Sequence, residues 1–339
     1  MIRIGIIGVG VVASYGHIPA IKDTPGLQLV SALDIDPAKL TEAREKFGIP
    51  QTFSDLDEFF QSGIDAVVIT SSAPAHLAHV MACAKYKKPA LCEKPLAMNE
   101  DEAQQMIDAM RDAGVPLYVG FTYRFAPVAL EIQRMIRNGD IGHLKSLRLF
   151  YVWDCHGKYN ERGKPESGLY ERRVGRMLEG GPMVDCGVHQ IDLARWWTGR
   201  EVQRITGLGA WVETENYESP DHIWLHMDHA GGAHSMVEIS FSYGHTAVDP
   251  RSEFNYELIG TEGVIRYSRA GRFFEAVTSR GTQHLHWTDE KNFHGMYTEF
   301  ERALRSGQQG DMPTGVDGLT ATRLARLATE AAIKWRATA

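Results

Sequence analysis

The chain has 339 residues, 43% hydrophobic and 23% charged, ordinary globular proportions that exclude a disordered or fibrous protein. At about 150 residues per domain it should hold roughly two domains, large enough to fold without disulfide or metal staples. Its 36 Lys and Arg against 43 Asp and Glu leave a net charge of −7, which argues against a nucleic-acid grip or a polybasic membrane surface. The four cysteines form no CxxC pair, so neither a disulfide framework nor a zinc site is expected. With no signal peptide and no run of about 20 apolar residues, the expected setting is cytoplasmic, with no membrane partner.

Taken in order, Ile2 to Ile7 reads as a buried strand, followed by a glycine turn and a stretch to about Lys22 that could be helical. Leu27 to Leu33 is a second strand ending at Asp34. Asp36-Pro37 starts a helix through Phe47, with Asp as cap, Pro in the first turn and Gly48 as stop. A short helix (Asp55 to Phe60), a strand (Ala66 to Thr70), a helix (Ala75 to Tyr86), a strand (Pro89 to Cys92), a helix (Glu100 to Ala113) and a strand (Leu117 to Gly120) follow. This alternation predicts a doubly wound parallel sheet. After one amphipathic helix at Val128 to Arg137 come longer alternating strands: Leu144 to Trp153, Glu201 to Val212, Asp221 to His229, His234 to Tyr243 and Phe254 to Ile259. Asp228 to Gly232 is a hairpin turn, Gly263 to Tyr267 and Phe273 to Val277 are short strands, and helices near Gly295 to Arg305 and Gly318 to Arg336 close the chain. The expectation is an α/β domain over 1–121 and an α+β domain over 122–339 built on a largely antiparallel sheet with one open face.

Gly8-Val9-Gly10-Val11-Val12-Ala13 fits GxGxx(G/A) between a strand and a helix. Gly8 permits the tight turn, Gly10 lets backbone approach a pyrophosphate, and Ala13 allows close helix packing, with the helix N–H groups of Val11 and Val12 facing the phosphates. Asp34 follows Gly10 at about the spacing of a ribose-binding carboxylate. It would repel a ribose phosphate, and Ile35 rather than Arg or Lys comes next, so NAD is favoured over NADP.

Three further segments suit chemistry. Glu93-Lys94-Pro95 follows a strand, where ligands bind in open α/β sheets, and Lys94 could stabilise a substrate oxygen gaining negative charge. In Gly180-Gly181-Pro182-Met183-Val184-Asp185-Cys186-Gly187-Val188-His189, a helix starting near Val184 or Asp185 would put Asp185 and His189 on one face as a tunable acid–base pair. Gly120-Phe121-Thr122-Tyr123-Arg124 reads as the crossing between domains, where Arg124 either binds a polar substrate or pairs with an acid across the junction. Asp154 to Arg176 reads as a substrate-side loop or a solvated insertion, with Trp153 and His156 placed to reach a polyol. His222, His226, His229, His234 and His245 read as sheet surface rather than a metal site, and Trp196-Trp197 as core.

Together these motifs resemble the glucose–fructose oxidoreductase / inositol dehydrogenase / MocA family. The matching pieces are GIIGVGVVASYGH with His17, Asp34, His76 ahead of LCEKPLA, GFTYRF, GGPMVDCGVHQIDLARWW and the closing PTGVDGLTATRLARLATEAA. The resemblance implies a Rossmann domain, then a domain whose sheet covers the active site and often mediates oligomers; the open sheet face suggests a homodimer or homotetramer. It implies hydride transfer between NAD(P) and a sugar, cyclitol or related polyol. Lys94 matches the lysine that contacts the reacting oxygen, and Asp185 and His189 the second-domain pair, His189 being the base. It also implies cofactor contacts from Ser71, Ser72, His76, Glu93 and Lys94, although the loop Ser71-Ser72-Ala73-Pro74-Ala75-His76 has its proline displaced from the family pattern. Two alternatives stay open: a non-catalytic NAD-binding sensor, and redox-assisted glycoside cleavage or epimerisation on the same fold.

Overall fold

The computed structural model describes residues 1–155, 169–213, 217–244 and 246–338. They form two compact units, Met1–Phe125 with Lys291–Thr322, and Ala126–Glu290 with Arg323–Ala339. In the first unit, β1 (Ile2–Ile7), β2 (Leu27–Leu33), β3 (Gln51–Phe53), β4 (Ala66–Ile69), β5 (Ala90–Cys92) and β6 (Leu117–Val119) build a parallel sheet in the order β3-β2-β1-β4-β5-β6. The order reverses between β1 and β4, the switch point beyond whose carboxyl ends ligands bind. In the second unit, β7 (Leu144–Val152), β8 (Val202–Ala210), β9 (His222–His229), β10 (His234–Ser240), β11 (Glu253–Gly260), β12 (Gly263–Ser268), β13 (Phe273–Thr278) and β14 (Gly281–His284) form an eight-stranded sheet. Its order is β14-β13-β12-β11-β7-β10-β9-β8, and only β10 and β7 pair in parallel.

The helices are α1 (Ile18–Asp23), α2 (Pro37–Glu45), α3 (Leu56–Gln61), α4 (His76–Lys85), α5 (Glu100–Asp112), α6 (Pro127–Arg137), α7 (Leu169–Leu178), α8 (Val188–Thr198), α9 (Phe293–Ser306) and α10 (Gly315–Thr338). A wide π-turn runs directly into α1 (Ala13–His17), and another into α8 (Met183–Gly187). Side-chain caps fix the starts. The Ala38 N–H donates to Asp36 at 2.8 Å, the Glu58 N–H to Asp55 at 2.9 Å and the Glu102 N–H to Asn99 at 2.8 Å.

The first core is the run of buried strands the sequence predicts: Ile4, Ile6, Val67, Val68 and Ile69 are fully buried. Residues 291–322, expected in the second domain, belong to this unit. Met296, Tyr297 and Phe300 of α9 join the cluster around Ile4, Ala20 and Tyr118, so apolar burial draws the segment in. In the second unit burial alternates along β9 and β11, as an antiparallel sheet with one packed face requires. A Cβ at Gly207 of β8 would strike the Ala328 backbone, so glycine there lets α10 lie directly on the sheet.

The histidines need one correction. His229 is not sheet surface; it is buried, and its Nε2 meets Ser235 Oγ at 2.7 Å. On the other face, cross-strand neighbours bring carboxylates that sequence spacing did not reveal: His234 meets Asp228 at 2.9 Å and His222 meets Glu238 at 3.2 Å. Among the described residues no group of three or more His, Cys, Asp or Glu is arranged to hold a metal, and no helix is long and apolar enough to cross a membrane. His245 lies outside the described residues.

Candidate active site

The first unit carries a phosphate cradle. Gly8 leaves β1 at φ +92°, and a Cβ there would sit 2.7 Å from the Ser71 nitrogen, so the turn needs glycine. Thr70 Oγ1 donates to the Gly8 carbonyl at 2.5 Å and binds the turn to the end of β4. The Ser14 N–H donates to the Gly10 carbonyl at 3.0 Å, the first bond of the helix. The amides of Val11, Val12 and Ala13 therefore belong to the helix end whose N–H groups lack intrahelical acceptors. A Cβ on Gly10 would meet nothing within 4 Å, and Val11 is 57% exposed, so the ground above this helix end is open. Asp34 is fixed at the end of β2 by the Val9 N–H at 2.7 Å and the Asp36 N–H at 3.0 Å, one on each carboxylate oxygen. Each oxygen keeps a second lone pair for a ribose hydroxyl. A turn open to a pyrophosphate and a pinned carboxylate beside it fit a dinucleotide without a ribose phosphate.

Lys94 follows β5 on a cis Lys94–Pro95 peptide, at the carboxyl end of the same sheet. Its N–H donates to Glu93 Oε2 at 3.0 Å, while Glu93 Oε1 accepts from His17 Nε2 at 2.8 Å. Burial alone would raise the Glu93 carboxyl; the His17 hydrogen bond and the Lys94 charge outweigh it and hold the group below the usual carboxylate range. Glu93 thus faces inward, where a cofactor contact had been expected. His76 is likewise buried and turned to backbone: Nδ1 faces the Pro95 and Leu96 carbonyls at 3.0 and 3.1 Å, and Nε2 faces the Ser71 carbonyl at 3.0 Å. It ties the loop after β4 to the Lys94 turn. Ser71 Oγ meets His79 Nδ1 at 2.9 Å, and Ser72 is exposed ahead of a short turn over Ala73–Ala75. Arg124 is buried and pairs with Asp317 at 3.2 Å, an acid of its own unit and not one across the junction.

The second unit holds the acid–base candidates. Gly180 and Gly181, at φ +128° and +76°, bring the chain into the Met183–Gly187 π-turn that carries Asp185, and α8 begins at Val188 with His189 buried at 6% exposure. The expected ordinary helical register between Asp185 and His189 is replaced by this wide turn. Such turns are frequent at functional sites, and the other π-turn carries His17.

Asp185 pairs with Arg176 Nε of α7 at 3.2 Å, and Cys186 Sγ donates to the same Asp185 oxygen at 3.5 Å. Burial disfavours the Arg176 charge, but Asp185 and the Cys155 and Cys186 thiols outweigh that, and the guanidinium is held above its usual value. The guanidinium lies 5.6 Å from the Trp153 ring, which stacks on Tyr151 with centroids 6.1 Å apart. Trp153 Nε1 is buried with no acceptor among the described residues. His156 lies outside the described residues. Trp197 is core, donating from Nε1 to the Ala129 carbonyl at 3.2 Å. Sequence reasoning did not single out Arg176, which differs in no local signal from Arg172 and Arg173 nearby.

Comparison with known proteins agrees with this geometry. Residues 2–121 match the model of an oxidoreductase family with an NAD-binding Rossmann fold, and residues 129–266 match the GFO/IDH/MocA C-terminal domain. The chain belongs to the GFO/IDH/MocA family and is an NAD-dependent oxidoreductase of the dehydrogenase class. A myo-inositol 2-dehydrogenase of Thermotoga maritima is 27% identical over 95% of this chain and 93% of its own length. A D-apiose dehydrogenase of Rhizobium rhizogenes is 28% identical over 79% of this chain and 73% of its own. A levoglucosan dehydrogenase solved with NADH and levoglucosan shares the fold, with a TM-score of 0.83, 22% identity, and coverage of 98% of this chain and 97% of its own.

Proposed function

We propose that this enzyme moves a hydride between NAD and a hydroxyl-bearing carbon of a sugar, cyclitol or related polyol. One observation carries the reading: the open glycine turn, the pinned Asp34 carboxylate and Lys94 stand at the carboxyl ends of β1, β2 and β5 of a single sheet. The inositol and apiose dehydrogenases among its relatives support the substrate class.

NAD, when bound, supplies the hydride chemistry. Gly8, Gly10, Val11 and Val12 hold its pyrophosphate, Asp34 the adenosine ribose, and Ser71 and Ser72 the nicotinamide side, while His76 keeps their loop in register with Lys94. Lys94 donates a hydrogen bond to the substrate oxygen as that oxygen gains negative charge. His189 takes the hydroxyl proton, and Asp185, paired with Arg176 at 3.2 Å, supports the imidazolium that results. Trp153 offers a flat face and an N–H to the polyol.

The reading includes a cytoplasmic homodimer or homotetramer. None of the four cysteines is joined in a disulfide, and the face of the eight-stranded sheet that carries Trp224 also exposes Leu208, Ile259 and Val277, apolar groups suited to a second copy. The experiment is replacement of the two reacting groups. Lys94→Ala and His189→Ala should each lower kcat by roughly a hundredfold to ten-thousandfold, with NAD affinity near that of the parent. Loss of NAD affinity with surviving turnover would overturn these roles.

A further inference from the structure

Three buried polar side chains behind Lys94 have no part in the reaction as written. Tyr297 and His17 are fully buried, and Glu93 is 7% exposed. The Tyr297 hydroxyl lies 2.6 Å from His17 Nδ1, His17 Nε2 lies 2.8 Å from Glu93 Oε1, and Glu93 Oε2 accepts the Lys94 N–H at 3.0 Å. We propose that Tyr297, His17 and Glu93 are a positioning relay that holds a fixed negative charge behind Lys94 and so keeps Lys94 protonated and in place. The proposal rests on the reading of Lys94 as donor to the substrate oxygen.

The direction of the relay follows from its protons. Burial, with the Glu93 charge, pushes the Tyr297 hydroxyl well above its usual value, so it keeps a proton to give. The Glu93 carboxylate can only accept, which puts the ring proton on Nε2 and leaves Nδ1 to accept from Tyr297. Glu93 thereby receives a donor on each oxygen and stays a carboxylate inside the protein. The Phe293 ring, edge-on to His17 with centroids 5.0 Å apart, fixes the plane of the imidazole.

The titratable groups facing Glu93 are His17, Lys94, His76, Cys92 and Tyr297. Among them only Lys94 has an ammonium for the carboxylate to stabilise. The chain of hydrogen bonds ends on a buried phenol, so it positions and does not conduct protons to solvent. Burying three polar groups is costly compared with an apolar plug of the same size, which is why a purely structural role accounts poorly for them.

The test is the reactivity of the Lys94 amine in the full chain, read by acetic-anhydride labelling and mass spectrometry across pH 7 to 10, with no substrate needed. Glu93→Gln removes the charge and should raise Lys94 labelling near pH 8 about threefold or more, shifting its profile to lower pH. Tyr297→Phe removes one oxygen, frees the His17 tautomer and should shift the profile the same way by a smaller amount. If Glu93→Gln fails to fold, Tyr297→Phe decides. Unchanged labelling in the folded variants overturns the relay. Intact turnover in Lys94→Ala would instead overturn the role of Lys94 and leave the labelling result standing.

Discussion

Gly8 and Gly10 sit two residues apart in one turn, and the structure gives them opposite duties. At Gly8 an alanine would occupy φ +92°, which costs an L residue roughly 1–2 kcal/mol. Its Cβ would also lie 2.7 Å from the Ser71 nitrogen and 2.8 Å from the Ser71 Cα, backbone atoms that must move, for a further ~1–3 kcal/mol. Gly8→Ala should therefore destabilise the protein by about 3 kcal/mol, a drop in Tm of roughly 6–12 °C. At Gly10 the added Cβ meets nothing within 4 Å, so Gly10→Ala should leave stability within about 0.5 kcal/mol of the parent. The same methyl stands where a pyrophosphate would approach the helix end, and NAD affinity should fall about tenfold or more, a loss of roughly 1.4 kcal/mol. Thermal melts without cofactor and calorimetric NAD titration separate the two effects. Gly10→Ala binding NAD like the parent, or Gly8→Ala melting with it, would refute the assignment of the cradle.

Asp34→Ser removes the carboxylate that opposes a ribose phosphate, and the ratio of kcat/KM with NAD to that with NADP should fall on the order of a hundredfold; an unchanged ratio would remove Asp34 from cofactor selection. Arg176→Met takes away the cation 3.2 Å from Asp185, so the Asp185 carboxyl should rise and the acidic limb of the kcat/KM profile should move up by roughly one pH unit; a stationary limb would show that Arg176 does not tune Asp185. Burial, then the His76 charge, push the His79 imidazole from 6.5 down to about 4. Its folded value lies below its unfolded one, so its contribution is present above pH 6.5 and is lost as pH falls towards 4. His79→Gln should flatten the stability profile over that window by about 2 kcal/mol, as read by urea unfolding.

Periodicity and capping residues made the fold legible. The Ile-rich β1, the Asp36 cap and the glycine turn are local signals, and the structure repeats them. What escaped depends on distance or on size. The three-residue β3, with its polar Gln51 and Thr52, pairs only with β2 and has no run to detect. α7 emerges from the charged Asp154 to Arg176 stretch that reads as loop. α9 joins the first core through contacts made some 280 residues away, as between Tyr297 and His17. In the site, Lys94 and Asp34 were readable because each closes a strand. The partners of Asp185 and Glu93 were not: His17 reaches Glu93 from 76 residues away, Arg176 lies just upstream of Asp185 in a stretch that reads as loop, and a π-turn leaves no mark in hydrophobic spacing.

Turnover itself tests the assigned reaction most directly. The full chain should be incubated with NAD and, in parallel, NADP, across a panel of inositols, aldoses, ketoses and anhydrosugars, with NADH absorbance and substrate consumption both followed. At least one cyclitol or sugar should yield NADH in step with its own oxidation, faster with NAD than with NADP. Tight NAD binding with no NADH from any member, or substrate turned over with no accumulated NADH, would contradict it.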